Sequence, residues 1–172
     1  MKEIRYTSVI LVSLILLASC QKIQHAPATP SIEFTSFAVF DTLDPLGNNS
    51  KGGRLRFKFE DGDGDLGLNT PTANIPDSTN LFLSLYRKKG GTMVAVSGFD
   101  PLLPYAAYRI PYMERLGQNK ILKGTISVTM IYQSYSPGDT IKYDFYITDR
   151  AQNESNIVST NEIIVSKNNT YK

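Results

Sequence analysis

Residues 54–60 read Arg-Leu-Arg-Phe-Lys-Phe-Glu, which sets Leu55, Phe57 and Phe59 on one face of an extended chain and Arg54, Arg56, Lys58 and Glu60 on the other. A helix would scatter these side chains around its circumference. A strand gathers them into one apolar and one charged face, so the segment fits a sheet with one buried side. Further runs rich in Val, Ile, Phe, Tyr and Thr lie at 32–42, 81–87, 93–96, 121–131, 140–148 and 157–165, separated by Gly, Pro, Asn and Asp clusters. About seven strands with no sustained helical period predict an all-β sandwich. The glycine-containing connection at 88–92 predicts a hairpin. Pro111 at a first helical position, with Gly117 just past the end, predicts one or two turns of helix over 111–117.

The start of the chain carries a different signal. Lys2 and Arg5 precede an aliphatic run at 9–17, which suits the core of an export signal and is too short for a permanent membrane helix. The run ends Leu17-Ala18-Ser19-Cys20, which resembles a bacterial lipobox. That resemblance implies cleavage before Cys20 and acylation of its thiol. The product is expected to be a cell-envelope lipoprotein held permanently at the outer membrane by its acyl chains. The organisation read from this is a leader at 1–19, a lipidated cysteine and flexible tether at 20–30, one sandwich domain at 31–168 and a polar tail at 169–172. Pro27 and Pro30 keep the tether extended, and His25 decorates it.

Composition removes most familiar chemistry. The 172 residues include one Cys and one His, which excludes a disulfide scaffold, a zinc finger and any Cys-His or Ser-His catalytic arrangement needing a second copy of either; Cys20 is read as an anchor, not a catalyst. The net charge is +2, and the leader removes Lys2, Arg5 and Glu3, so no nucleic-acid footprint is expected. There is no glycine-rich phosphate loop, because Gly62-Asp63-Gly64-Asp65 places acids where a phosphate would sit.

The segment 136–160 resembles the last two strands of fibronectin type III and related immunoglobulin-like domains. The resemblance puts Asp139 and Tyr143 at a tyrosine corner, with the ring inside and its hydroxyl bonded to nearby backbone. Residues 149–155, Asp-Arg-Ala-Gln-Asn-Glu-Ser, resemble the Asp-x-Ala-Gly-Asn-x-Ser turn of bacterial surface modules, with Gln152 in place of the glycine. The whole chain is similar to the lipoproteins of Bacteroidota that carry a lone immunoglobulin-like domain.

One loop demands a chemical explanation. Asp61, Asp63 and Asp65 alternate with Gly62 and Gly64, so three carboxylates share a segment whose backbone can wrap. Hard oxygen donors without His or Cys favour Ca²⁺. An EF-hand is excluded, because Leu66 stands where that loop needs Gly and Thr72 where it needs the bidentate Glu. In a sandwich whose successive strands alternate in direction, the loops after the second and sixth strands share one pole. Asp149 and Asn153 are therefore expected to complete a structural Ca²⁺ cage with Asp61, Asp63 and Asp65; the alternative is a solvated acidic turn.

A second candidate is the aromatic segment holding Tyr105, Tyr108 and Tyr112, which suits a glycan or protein partner if its rings are exposed. The function expected is a non-catalytic, lipid-anchored envelope module, binding or structural. The alternatives are a glycan-binding accessory lipoprotein of a polysaccharide-uptake system and, further off, a hydrolase using two carboxylates.

Overall fold

The computed structural model describes residues 26–74, 77–98, 103–104, 106–114 and 120–172. Among the described residues there are ten strands and no helix. They are β1 (Ser31–Leu43), β2 (Asn49–Asp61), β3 (Leu81–Lys89), β4 (Thr92–Ala95), β5 (Ala107–Tyr108), β6 (Leu122–Tyr132), β7 (Thr140–Ile147), β8 (Val158–Ser159), β9 (Ile163–Ile164) and β10 (Asn169–Tyr171). One sheet has the order β10-β1-β2-β6; the other runs β4-β3-β7-β8, with β5 beside β3 and β9 beside β7. All strand pairs are antiparallel, and the two sheets pack as the expected β-sandwich.

Alternation builds the core. Leu55, Phe57 and Phe59 of β2 face inward, as do Ile141, Tyr143, Phe145 and Ile147 of β7. The sheets meet through Phe57 against Phe145, ring centroids 5.2 Å apart, and Phe37 against Tyr143 at 6.0 Å. In β1 the inward set changes phase, from Ile32 and Phe34 to Phe37 and Val39. A register shift between Phe34 and Ser36 absorbs the extra residue, so both halves of a long strand reach the same core.

The 88–92 hairpin tightens to Gly90–Gly91, both at positive φ, with Lys89 paired to Thr92. That is the two-residue turn whose twist matches the flanking strands. Three readings of the sequence need correction. Residues 111–114 are not helical, because Pro111 forms a bridge with Leu68 and the chain there runs extended; 115–119 lie outside the described residues. The segment 157–165 is two short strands rather than one, and residues 169–172, read as a polar tail, contain β10, in which Tyr171 pairs with Phe37. Tyr143 is buried as expected, but its hydroxyl lies 2.9 Å from the Tyr132 hydroxyl rather than on backbone, and Asp139 is ion-paired with Arg87 at 3.1 Å.

The acidic loop follows β2 and the 149–153 loop follows β7, strands whose ends lie at one pole. The Asp44–Asn48 turn and the Gly90–Gly91 hairpin close the opposite pole. At the acidic pole the start of β1 is stapled across to the loop before β8. The Asn156 amide donates to the Ile32 carbonyl at 2.9 Å and accepts the Ile32 N–H at 2.8 Å, reproducing a strand pair with one side chain.

Candidate metal centre

The inward parity of β2 runs Leu55, Phe57, Phe59 and then Asp61; that of β7 runs Ile141, Tyr143, Phe145, Ile147 and then Asp149. Each sheet therefore delivers an aspartate to a position whose predecessors are all core. Both Asp61 and Asp149 are 0% exposed. A carboxylate in such a place is costly unless its oxygens are met by donors or a cation.

Asp149 is met from within its own loop. Its Oδ1 accepts the Asn153 N–H at 2.8 Å and its Oδ2 accepts the Asn153 side-chain amide at 2.7 Å. Gln152, at φ 68°, lets the chain fold back over the aspartate, which is the conformation the missing glycine would have taken. Asp61 is met only halfway. Oδ2 accepts the Leu66 N–H at 2.7 Å, while Oδ1 is sealed from solvent and no donor reaches it.

Asp63 and Asp65 converge on that unsatisfied oxygen: one carboxylate oxygen from each of the three residues lies within 4.8 Å of the others. Oδ1 of Asp65 is likewise buried without a donor. The Ala151 N–H bonds to the Asp65 carboxylate, so the two loops meet. Burial, reinforced by the neighbouring Asp63 and Asp65 charges, pushes the Asp61 carboxyl up to about 6, against the pull of the Leu66 N–H. Burial also raises Asp65, with the charges of Asp149 and Asp63 adding to it and the nearby Arg150 charge and Ala151 N–H opposing it. Among the described residues, no lysine or arginine forms an ion pair with Asp61, Asp65 or Asp149. The arrangement is a pocket of oxygen donors with a surplus of negative charge, and its chemistry suits a hard divalent cation.

Of the five residues picked out as metal ligands, then, Asp61, Asp63 and Asp65 come together and Asp149 stands close enough to Asp65 to raise it. Asn153 is at the same pole with its amide turned to Asp149. Alternation alone could have marked Asp61 and Asp149 as buried, since both continue an inward stripe.

Sequence reasoning missed Arg150. Its Nη1 donates to the Gly67 carbonyl at 2.8 Å and its guanidinium lies 5.2 Å from the Tyr112 ring centroid. Gly67, at φ +96°, leaves no room for a Cβ against the Pro111 carbonyl, and Leu68 exchanges backbone bonds with Ile110 and Tyr112 at 2.9 Å each. The acidic loop, the 149–153 loop and the aromatic segment are thus one assembly. Of the aromatics, Tyr108 is half-buried, Tyr112 is 47% exposed, and Tyr105 lies outside the described residues, as does Cys20.

No protein-family model matches the sequence, and neither a curated protein nor a solved structure matches it.

Proposed function

We propose that this chain is a non-catalytic module of the cell envelope, anchored by lipid at Cys20, with an immunoglobulin-like sandwich whose acidic pole is locked by a structural Ca²⁺. The observation that carries the cation is the buried Oδ1 of Asp61, which no donor reaches while the oxygens of Asp63 and Asp65 surround it. A cation there offsets the desolvation of Asp61 and ties the β2 loop to the β7 loop through Asp65 and Ala151. Carboxylates gathered within 4.8 Å suit a common ion better than the flanks of a scissile glycosidic bond, where the pair stands about 5 Å or more apart across the sugar. Among the described rings of the aromatic segment, Tyr112 is exposed and Tyr108 half-buried; the structural reading rests instead on the buried aspartates.

Calorimetric titration with Ca²⁺ tests this, together with thermal unfolding in Ca²⁺ and in EDTA. The expected result is a saturable heat and a melting temperature that falls on chelation, both absent in Asp63→Asn. No heat and an EDTA-insensitive melting temperature would remove the site.

A further inference from the structure

A sheet edge presents a row of N–H and C=O groups that another strand can pair with, and folded proteins blunt such edges by shortness, charge, proline, bulges or cover. Most edge strands here are short: β10 has 3 residues, β4 has 4, and β5, β8 and β9 have 2 each. The exception is β6. Its 11 residues stay in register with β2 without a bulge, from Leu122 opposite Asp61 to Tyr132 opposite Lys51. It holds no proline, and its one charged residue, Lys123, sits near the end. Among the described residues its backbone bonds reach β2 alone, so the alternate N–H and C=O groups that point away from β2 meet no described partner.

We propose that two copies of this chain join through β6, antiparallel about a two-fold axis at Ser127, so that two four-stranded sheets become one continuous sheet. Ser127 is the midpoint of Leu122–Tyr132, and this register alone pairs the strand from end to end. On the inner face Ile126 meets the partner's Val128, and Gly124 meets the partner's Met130. Ile126 and Val128 point toward the core yet are only partly buried, whereas Met130 and Tyr132 are buried, so the added strand covers apolar surface left open at this edge. On the outer face the exposed side chains of Thr125, Ser127 and Thr129 meet hydroxyls of the same kind. Charge does not oppose the pairing. The two Lys123 residues stand eight positions apart across the axis, roughly 27 Å. The two β2 strands, which carry the arginines, lie three strand spacings apart, about 14 Å, beyond a screening length of about 8 Å. A second copy fits because every position meets its complement: apolar against apolar, hydroxyl against hydroxyl, and no charge against its like.

The test uses the full chain in a mild non-ionic detergent. Sedimentation equilibrium over a concentration series is expected to give twice the chain mass; a monomer throughout overturns the proposal. Oxidation reads the register. Ser127→Cys faces its own copy with Cα atoms about 4.5–5.5 Å apart, and is expected to give a disulfide-linked dimer. Thr125→Cys stands roughly 13 Å from its copy and is expected to cross-link no more than the parent chain, which carries Cys20. Thr125→Lys/Thr129→Lys sets like charges opposite one another on the exposed face, and is expected to sediment as a monomer with an unchanged melting temperature. Thr125→Lys/Thr129→Glu sets opposite charges there and is expected to restore the dimer. A dimer that survives the lysine pair, or cross-linking at 125 equal to that at 127, would overturn the proposal. If the lysine variant does not fold, the comparison of the two cysteine variants decides.

Discussion

Tyr132 and Tyr143 each bury a hydroxyl in the sandwich, and each is the other's hydrogen-bond partner at 2.9 Å. Burial raises both far above the ordinary phenol range, so neither ionises at physiological pH. Tyr132→Phe strands the Tyr143 hydroxyl and is expected to cost about 1–3 kcal/mol in denaturant unfolding. The Tyr132→Phe/Tyr143→Phe double variant is expected to recover part of that loss, because no polar atom is left unpaired. Asp61 gives the opposite kind of prediction. Its folded carboxyl titrates at about 6, above the ordinary 3.8, so the fold favours the protonated form. The stability this brings is present below about pH 4 and is lost as pH rises through about 6. Chelated protein is thus expected to melt at a lower temperature at pH 7 than at pH 5, and Ca²⁺, which takes the deprotonated carboxylate, is expected to abolish that fall. Asp61→Asn imitates the neutral acid: in EDTA its melting profile is expected to be flatter with pH, and Ca²⁺ is expected to leave it unchanged.

At the scale of elements, the alternation that opens the sequence reading extends further than the side chains suggested. β2 begins at Asn49, five residues before Arg54, and includes Gly52 and Gly53. Glycines read as a break in a strand, yet here they make room for rings: a Cβ on Gly53 would overlap the rings of Phe37 and Tyr132, and one on Gly52 the ring of Phe40. Gly53→Ala is accordingly expected to destabilise by about 1–3 kcal/mol in chemical unfolding, as the core is forced to overpack. The long strands were legible because each carries its own inward stripe. β5 and β10 were not, since Ala107–Tyr108 and Asn169–Tyr171 have no periodicity of their own and become strands only because β3 and β1 offer free edges. The acidic loop was legible from its aspartate spacing. Its links to Arg150, to Pro111 and, through the Gly62 N–H, to the Pro27 carbonyl depend on tertiary approach and left no local signal.

For the whole molecule, the two sheets share one core but are tied differently at their ends. The far pole is closed by tight turns, while at the acidic pole β2 and β7 lead into buried aspartates whose loops are joined through the Ala151 N–H and the Asp65 carboxylate. Hydrogen exchange is expected to reflect this: in EDTA, amides such as Leu66 and Ala151 should lose protection while Gly47, Lys89 and Thr92 keep theirs. Uniform change across both poles would argue that the cation acts on the fold as a unit rather than on this end.

The Asn156 staple on Ile32 has a mechanical meaning. A pull applied at Pro27 runs along β1, which is paired on one edge with β2 from Ser31 to Leu43 and on the other, at Phe37 to Val39, with β10. Such a load shears a long ladder in parallel instead of opening it pair by pair, and the Asn156 side chain holds the first rung, where peeling would have to begin. The end of β1 nearest Pro27 is thereby fastened against fraying.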